Sequence, residues 1–448
     1  MHMLISFGVE NFLSIKNEQI LSLKAGKGRA FNERVYQNTN LKILKFSSIF
    51  GANGSGKSNF VKAIAFARNY ILNGSRNSFI NKYYKIDETC KNTPSSFTFE
   101  ILLDGNVINY KFSIILSTNK IISETLYKNR KLIFYRRVSD SAYELNKREI
   151  KDNTLYNKLE VYLDGVKNDD NTLFLNLINQ YKSLFLEYSE ISVLKNLFNW
   201  YETKLRIMFP DEQIYNYSYF MSSDNIEKII CFFKDFGFSI SNYDIVDCSM
   251  DRIAAKLPKE IYTDLIQNIN EALSANENPA DGSMLGINKE LYIITKEQDE
   301  LICKTIQLYH ENPNIPFSMS EESDGTLRIF QLMEILFQND DEAVYIIDEI
   351  DRCLHPLLTY NFVNAFLNKI VNSDCQLITT SHETLLLDFN LLRKDEMWLV
   401  TKQNGASRLE ALGNTQNRAD IKLAKSYLLG EKAIPKIKND VYRTNEGK

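Results

Sequence analysis

The stretch from Ile43 to Asn73 constrains this chain's fold more than any other. At its centre, Gly51-Ala-Asn-Gly-Ser-Gly-Lys57-Ser58 fits the pattern G-x-x-x-x-G-K-[ST]. Small residues let consecutive backbone N–H groups turn inward and form a concave anion site that larger side chains would block. Lys57 then adds a point charge near the β- and γ-phosphates of a nucleoside triphosphate, and the Ser58 hydroxyl is placed to ligate Mg²⁺. Ile43 to Phe50 reads as a strand-like apolar run. Asn59 to Asn73 reads as a helix with apolar residues at Phe60, Ile64, Ala67 and Ile71, and Gly74 stands as its stop. A strand feeding a helix through such a loop sets the phosphates on a helix N-terminus. Asn53, Gly54, Ser55, Gly56 and Asn59 therefore join Lys57 and Ser58 as expected ATP contacts.

A phosphate loop that hydrolyses ATP needs a carboxylate nearby, and Ala343-Val-Tyr-Ile-Ile-Asp348-Glu349 offers two. The apolar run reads as a strand buried on both faces, with its acids at the C-terminal edge. Two acids at a strand end are ordinary in isolation. Beside a phosphate loop, Asp348 reads as the Mg²⁺ support and Glu349 as the base that polarises the attacking water. Another strand, CQLITT, runs into Ser381-His382. A lone histidine is more often structural, but this one leaves the same kind of edge and reads as a γ-phosphate sensor. Glu322-Ser323-Asp324-Gly325-Thr326 opens the helix TLRIFQLMEILF and forms a second anion-binding helix start. The chain already has its own phosphate loop, so Ser323 and Gly325 are expected to face the γ-phosphate of a second subunit.

The 448 residues, 44% hydrophobic and 25% charged, suit a globular chain of two or three domains. No apolar run approaches the roughly 18 residues that span a bilayer. The start MHMLISFGVENFL has neither the basic nor the uninterrupted apolar region of a signal peptide, so a cytoplasmic location without membrane contact is expected. The six cysteines are scattered without a C-x-x-C pair, which points to reduced structural thiols. A net charge of −4 gives no global footprint for nucleic acid. The local basic run Lys128, Arg130, Lys131, Arg136 and Arg137 is read chiefly as a solvated face, with DNA, RNA or partner contact as the sharper reading.

Three regions are expected. Residues 1–149 hold the N-terminal part of an ATPase head, with the phosphate loop and a β-meander from residue 96 to 146. Residues 150–288 read as a mainly helical insertion, because apolar residues recur at helical spacing in LFLNLINQYKSLFLEY, VLKNLFNWYETKLRIMF and NIEKIICFFKDFGF. Residues 289–448 return to an α/β pattern and carry the Ser323 helix, the acid strand and the histidine strand. Phe198, Trp200 and Tyr201 read as core or dimer contact, and His310 and His355 as structural.

The order of loop, long insertion, Ser-x-Gly helix, acid strand and histidine strand resembles the ABC-class ATPases. That resemblance implies an α/β, ABC-type P-loop ATPase head with an antiparallel β subdomain and a helical insertion. It places Asp351 at the position after the catalytic acid that approaches the partner's nucleotide. The usual LSGGQ-like string is replaced by ESDGT, and the glutamine expected after the loop helix is not identifiable, with the region of Phe99-Glu100 as its candidate substitute. Together, LISFGVENFLSIKNEQILSL, FGANGSGKSN, ESDGTLRIF, IIDEIDRCLHP, TTSHETLLLD and the late YLLGEKAIP are similar to the OLD-like group. Within that group they resemble the abortive-infection AbiL/RloA type, with the PARIS ATPase AriA as a relative.

The resemblance implies a prokaryotic anti-phage ATPase, slow and partner-regulated, that controls a toxic effector. It also implies a homodimer closed over two ATP molecules, open to higher assembly. The stretch after His382 is too short for a fused Toprim nuclease, so the expected effector acts in trans as a Toprim-like nuclease of the RloB type. The competing class is an SMC- or repair-type DNA clamp, whose usual mark is a long coiled-coil arm; no sustained heptads occur here.

Overall fold

The phosphate-loop strand, Phe46–Gly51, lies inside a six-stranded sheet. Its order is Leu205–Met208, Val344–Ile347, Gln376–Ser381, Phe46–Gly51, Met397–Gln403 and Ala406–Ala411, all parallel except the last. The computed structural model describes residues 1–28, 30–38, 41–74, 80–180, 192–210, 218–221, 225–275, 282–297, 300–337 and 342–412. YLLGEKAIP and the second half of LFLNLINQYKSLFLEY lie outside the described residues.

Two units divide the chain. The first comprises Met1–Pro210, Asp340–Ile350 and Leu367–Lys448. It holds the parallel sheet and a seven-stranded antiparallel one, ordered Ala142–Leu145, Lys131–Arg137, Lys120–Lys128, Asn106–Ile115, Ser95–Leu103, His2–Glu10 and Gln19–Ser22. The alternation of SSFTFEILL, with Phe97, Phe99 and Ile101 buried, gives this sheet its apolar face. That face shares one core with the loop helix, Lys57–Asn73, which buries Phe60, Ile64, Ala67 and Ile71. Phe7 meets Phe60 edge-on at 5.5 Å, and Phe66 meets Phe97 at 5.0 Å. The fully buried Gln376 ties the two sheets together. Its amide oxygen accepts from Leu4 N at 2.6 Å, and its amide nitrogen donates to the carbonyls of Leu4 and Leu44 at 3.0 Å each.

The reading of VLKNLFNWYETKLRIMF as helix holds only as far as Asn199. Trp200–Lys204 form a π turn and Leu205–Met208 a strand. Trp200 and Tyr201 are buried against Phe99, and the segment beyond them completes the edge of the parallel sheet by pairing Leu205 with Val344. Tertiary pairing overrides the helical spacing here.

The second unit comprises Asp211–Asn339 and Asp351–Phe366. Its sheet runs Asn242–Cys248, Glu300–Tyr309, Glu290–Glu297 and Ser283–Ile287, with Pro316–Ser318 pairing Glu300–Tyr309. Asn242–Cys248 and Ser283–Ile287 thus join Leu205–Met208 as strands inside the region expected to be mainly helical. The sheet is apolar on both faces. Leu291, Ile293, Ile306 and Leu308 pack with Phe233, Phe330 and Met333, while Tyr292, Ile294 and Cys303 pack with Ile253, Ile269 and Leu273. No helix among the described residues is long and apolar enough to cross a membrane.

Candidate active site

Strand register brings the candidate residues of the first unit to one edge. Phe50 pairs with Ser381 and Ile347 with Thr379, so Gly51, Asp348 and His382 leave neighbouring parallel strands at their C-terminal ends. Between Phe46–Gly51 and Val344–Ile347 lies Gln376–Ser381, which carries both Thr380 and the run into His382.

The loop is shaped by glycines with positive φ, 74° at Gly54 and 111° at Gly56. Gly56 precedes the helix, which begins at Lys57. The first turn of any helix leaves its N–H groups without intrahelical acceptors, so this end is a donor-rich anion site. Ser14 and Ser407 brace the loop from behind. Ser407 Oγ donates to Ser55 O at 2.5 Å, the two hydroxyls meet at 2.7 Å, and Asn59 Nδ2 donates to Ser14 Oγ at 2.7 Å. A Cβ on Gly56 would collide with both hydroxyls. Asn59, expected at the nucleotide, is thus engaged with the brace. Asn53 and Gly54 at the loop tip are exposed, whereas Ser55 is buried with its Oγ unpartnered.

Lys57 is buried. Its Nζ donates to Gly51 O at 2.7 Å and Ala52 O at 3.3 Å, and meets His382 Nε2 at 2.9 Å. Lysine and histidine, far apart in the chain, therefore share one point beside the loop. Asp348 is 2% exposed, and its Oδ1 accepts from Thr380 Oγ1 at 2.6 Å. The same hydroxyl oxygen accepts from Glu349 N at 2.8 Å, and Ile350 N donates to Thr380 O at 3.0 Å. Glu349 is only partly buried and has φ 51°. The donor set fits Mg²⁺, a hard cation that takes oxygen ligands: a hydroxyl at Ser58 and a carboxylate at Asp348.

In the second unit, Ser323 caps the helix Asp324–Phe337. Its Oγ accepts from Thr326 N at 3.1 Å and lies 2.9 Å from Thr326 Oγ1. Gly325 is required by close approach, because a Cβ there would stand 2.8 Å from Cys353 O. Ser323 itself is exposed. Three ties hold the approach to this helix: Ser320 to Glu290 at 3.1 Å, His310 to Glu322 at 2.8 Å and Lys289 to Asp324 at 2.6 Å. Asp351 O accepts from Leu354 N at 3.1 Å in the turn that carries Cys353.

Other candidates take different places. Arg136 is fully buried; it pairs with Glu124 at 3.4 Å and donates to the carbonyls of Val166, Asp169 and Thr172. It therefore leaves the basic run, in which Lys131 and Arg137 pair with Glu149 and Asp140. Glu100 accepts from Ser6 at 3.2 Å and pairs with Lys24 at 2.7 Å, and Phe99 is core. Thr380, Ser14 and Ser407 were not legible as site residues, because nothing local marks a hydroxyl that acts across the sheet.

A family model described as "AAA domain, putative AbiEii toxin, Type IV TA system" matches residues 46–158 and 234–388. No curated protein matches the sequence. Among solved structures, an SMC head bound to the C-winged helix domain of ScpA aligns over 91% of this chain and 97% of its own, at 14% identity and a TM-score of 0.40. The SMC head domain from Thermotoga maritima aligns over 91% and 98%, at 14% identity and a TM-score of 0.33.

Proposed function

The chain belongs to the family described as "AAA domain, putative AbiEii toxin, Type IV TA system", and from that premise we propose that it is an ABC-type ATPase, the ATP-hydrolysing switch of a prokaryotic anti-phage defence system. The observation that carries the ATPase reading is the shared edge at which Lys57 meets His382 and Thr380 joins Asp348 to Glu349.

The loop N–H groups and Lys57 bind the phosphates, and His382 reads the γ-phosphate from the Lys57 side. Ser58 and Asp348 would hold Mg²⁺, which neutralises phosphate charge. Glu349 takes a proton from the attacking water as its oxygen bonds to the γ-phosphorus and the bond to ADP breaks. Ser323 and Gly325, with Asp351, complete the shell of ATP held by a second copy. Binding therefore favours a homodimer closed over two nucleotides, and hydrolysis removes the bridge. The OLD-like, AbiL/RloA-type motifs and the toxin–antitoxin family support a defence role with a toxic effector acting in trans, of the Toprim-like RloB class.

Glu349→Gln protein with ATP and Mg²⁺ should dimerise, and Ser323→Arg added to it should abolish that; a dimer indifferent to both would overturn the reading. Capture with the trapped form, from cells carrying the neighbouring genes, should recover a nuclease-like protein. Recovery of DNA ends or repair proteins instead would favour an SMC- or repair-type clamp.

A further inference from the structure

Cys248 and Cys303 face each other across an antiparallel strand pair in the second unit. They are register partners, the last residue of Asn242–Cys248 against Cys303 of Glu300–Tyr309, and their Sγ atoms lie 3.0 Å apart. Direct cross-strand partners have Cβ atoms about 4.5–5.5 Å apart, against about 3.5–4.5 Å in a disulfide, so a bond between their sulfurs asks an approach of the order of 1 Å. The two thiols differ in access. Cys303 is 2% exposed and packs with Ile253, Leu273 and Tyr292, whereas Cys248 is half-buried at the strand end.

We propose that Cys248 and Cys303 form a redox site that closes to a cross-strand disulfide on exposure to a hydroperoxide. The sequence alone pointed to reduced structural thiols, since the two cysteines are separated by 55 positions and only the fold makes them neighbours. Cys248, the accessible member, reacts first. Its sulfur attacks one oxygen of hydrogen peroxide, the O–O bond breaks, and a sulfenic acid and one water result. The Cys303 sulfur then forms the S–S bond as the S–O bond breaks, and its thiol proton leaves with hydroxide as a second water. Two thiols lose two electrons and the peroxide gains them. Burial, and then the Cys248 sulfur beside it, push the Cys303 thiol well above its ordinary range, so it does not compete with Cys248 for the peroxide. That order protects the pair from over-oxidation, because the resolving sulfur is already in place.

The strand that carries Cys303 also pairs with Pro316–Ser318, just before Ser323, and runs into His310, which holds Glu322. The disulfide would therefore bridge the sheet from which the Ser323 helix is hung. This inference is independent of the proposed ATPase role.

The test is peptide mapping of the native full chain after graded hydrogen peroxide, quenching and alkylation. A crosslinked peptide containing Cys248 and Cys303 is expected before oxidation at the exposed Cys231 or Cys353, with reversal by dithiothreitol. Cys303→Ser should leave Cys248 to advance to sulfinic acid at the same peroxide dose. Stepwise oxidation of Cys231 and Cys353 while Cys248 and Cys303 both remain alkylatable would overturn the proposal. So would sulfinic acid at Cys248 in the unsubstituted protein without any crosslink.

Discussion

Thr380 Oγ1 donates to Asp348 Oδ1 at 2.6 Å while accepting the backbone N–H of Glu349 at 2.8 Å. One hydroxyl thus orients the expected metal carboxylate and anchors the backbone of the expected base. Thr380→Val keeps the shape and removes both bonds, leaving a buried carboxylate oxygen and a backbone donor without this partner. Such losses cost about 1–3 kcal/mol each. ATP turnover should fall by about 10- to 100-fold, in line with the effect of removing a partner that orients a metal ligand. Nucleotide affinity in the absence of Mg²⁺ should change little. Equal losses in both, measured by steady-state turnover and fluorescent-nucleotide titration, would assign Thr380 to folding instead.

Glu349 sits at φ 51°, a region that costs a non-glycine residue about 1–2 kcal/mol. The bonds from Glu349 N and Ile350 N to Thr380 hold it there. Strain at the candidate base predicts a separation of stability from activity. Glu349→Gln and Glu349→Gly should both lose at least about 100-fold in turnover, the scale of a general base. Only the glycine variant relieves the backbone, so it should match or exceed the glutamine variant in stability by about 1 kcal/mol. A glycine variant that melts well below the glutamine variant would show that the left-handed backbone is not strained.

The sequence announced the parts of this site that are local, and little of what joins them. The phosphate loop, Asp348, Glu349 and His382 each stand at the end of a readable apolar run. Their meeting at one edge follows from parallel strand order. Thr380 lies 32 positions from Asp348 on a neighbouring strand, and Ser407 lies 352 positions from Ser55 and 393 from Ser14, so no local spacing reveals them. Leu205–Met208 was masked by helical periodicity, because its partner Val344 lies far along the chain. Arg136 looked like part of a basic surface since charge is legible in sequence, whereas Glu124 and the carbonyls of Val166, Asp169 and Thr172 beneath it, at a helix end and in the loop that follows, are not.

Gly56 predicts a third outcome. Its φ of 111° and the crowding of a new Cβ against Ser407 and Ser14 both oppose a side chain. Gly56→Ala should weaken nucleotide binding by more than about tenfold and destabilise the first unit by about 1–3 kcal/mol. Adding Ser407→Gly removes part of the collision but leaves the backbone strain, so stability should recover only partly. Full recovery of binding and melting temperature in the double variant would mean that φ contributes nothing and that Ser407 is dispensable as a brace.

Glu396 gives the fold of the first unit a pH dependence. It is 1% exposed at the start of Met397–Gln403, beside the phosphate-loop strand, where Ser47 Oγ donates to its carbonyl at 3.1 Å. Its Oε2 accepts from Arg393 N at 2.8 Å, while Oε1 has no partner. Burial pushes this carboxyl up to about 8 from an ordinary 4.5, and the Arg393 backbone bond and the nearby arginines offset that only in part. Folded protein therefore holds a proton that the unfolded chain releases. Stability is unaffected by the group below about pH 4.5, declines between there and about pH 8, and levels off above. The steepest slope for one such group is about 1.4 kcal/mol per pH unit. Glu396→Gln mimics the protonated form and should flatten that decline. Melting temperatures of the two proteins should lie close together at pH 5, with the variant increasingly higher toward pH 8. A gap that stays constant from pH 5 to pH 8 would show that Glu396 is ionised in the folded state throughout and that the burial of its carboxyl is not linked to stability.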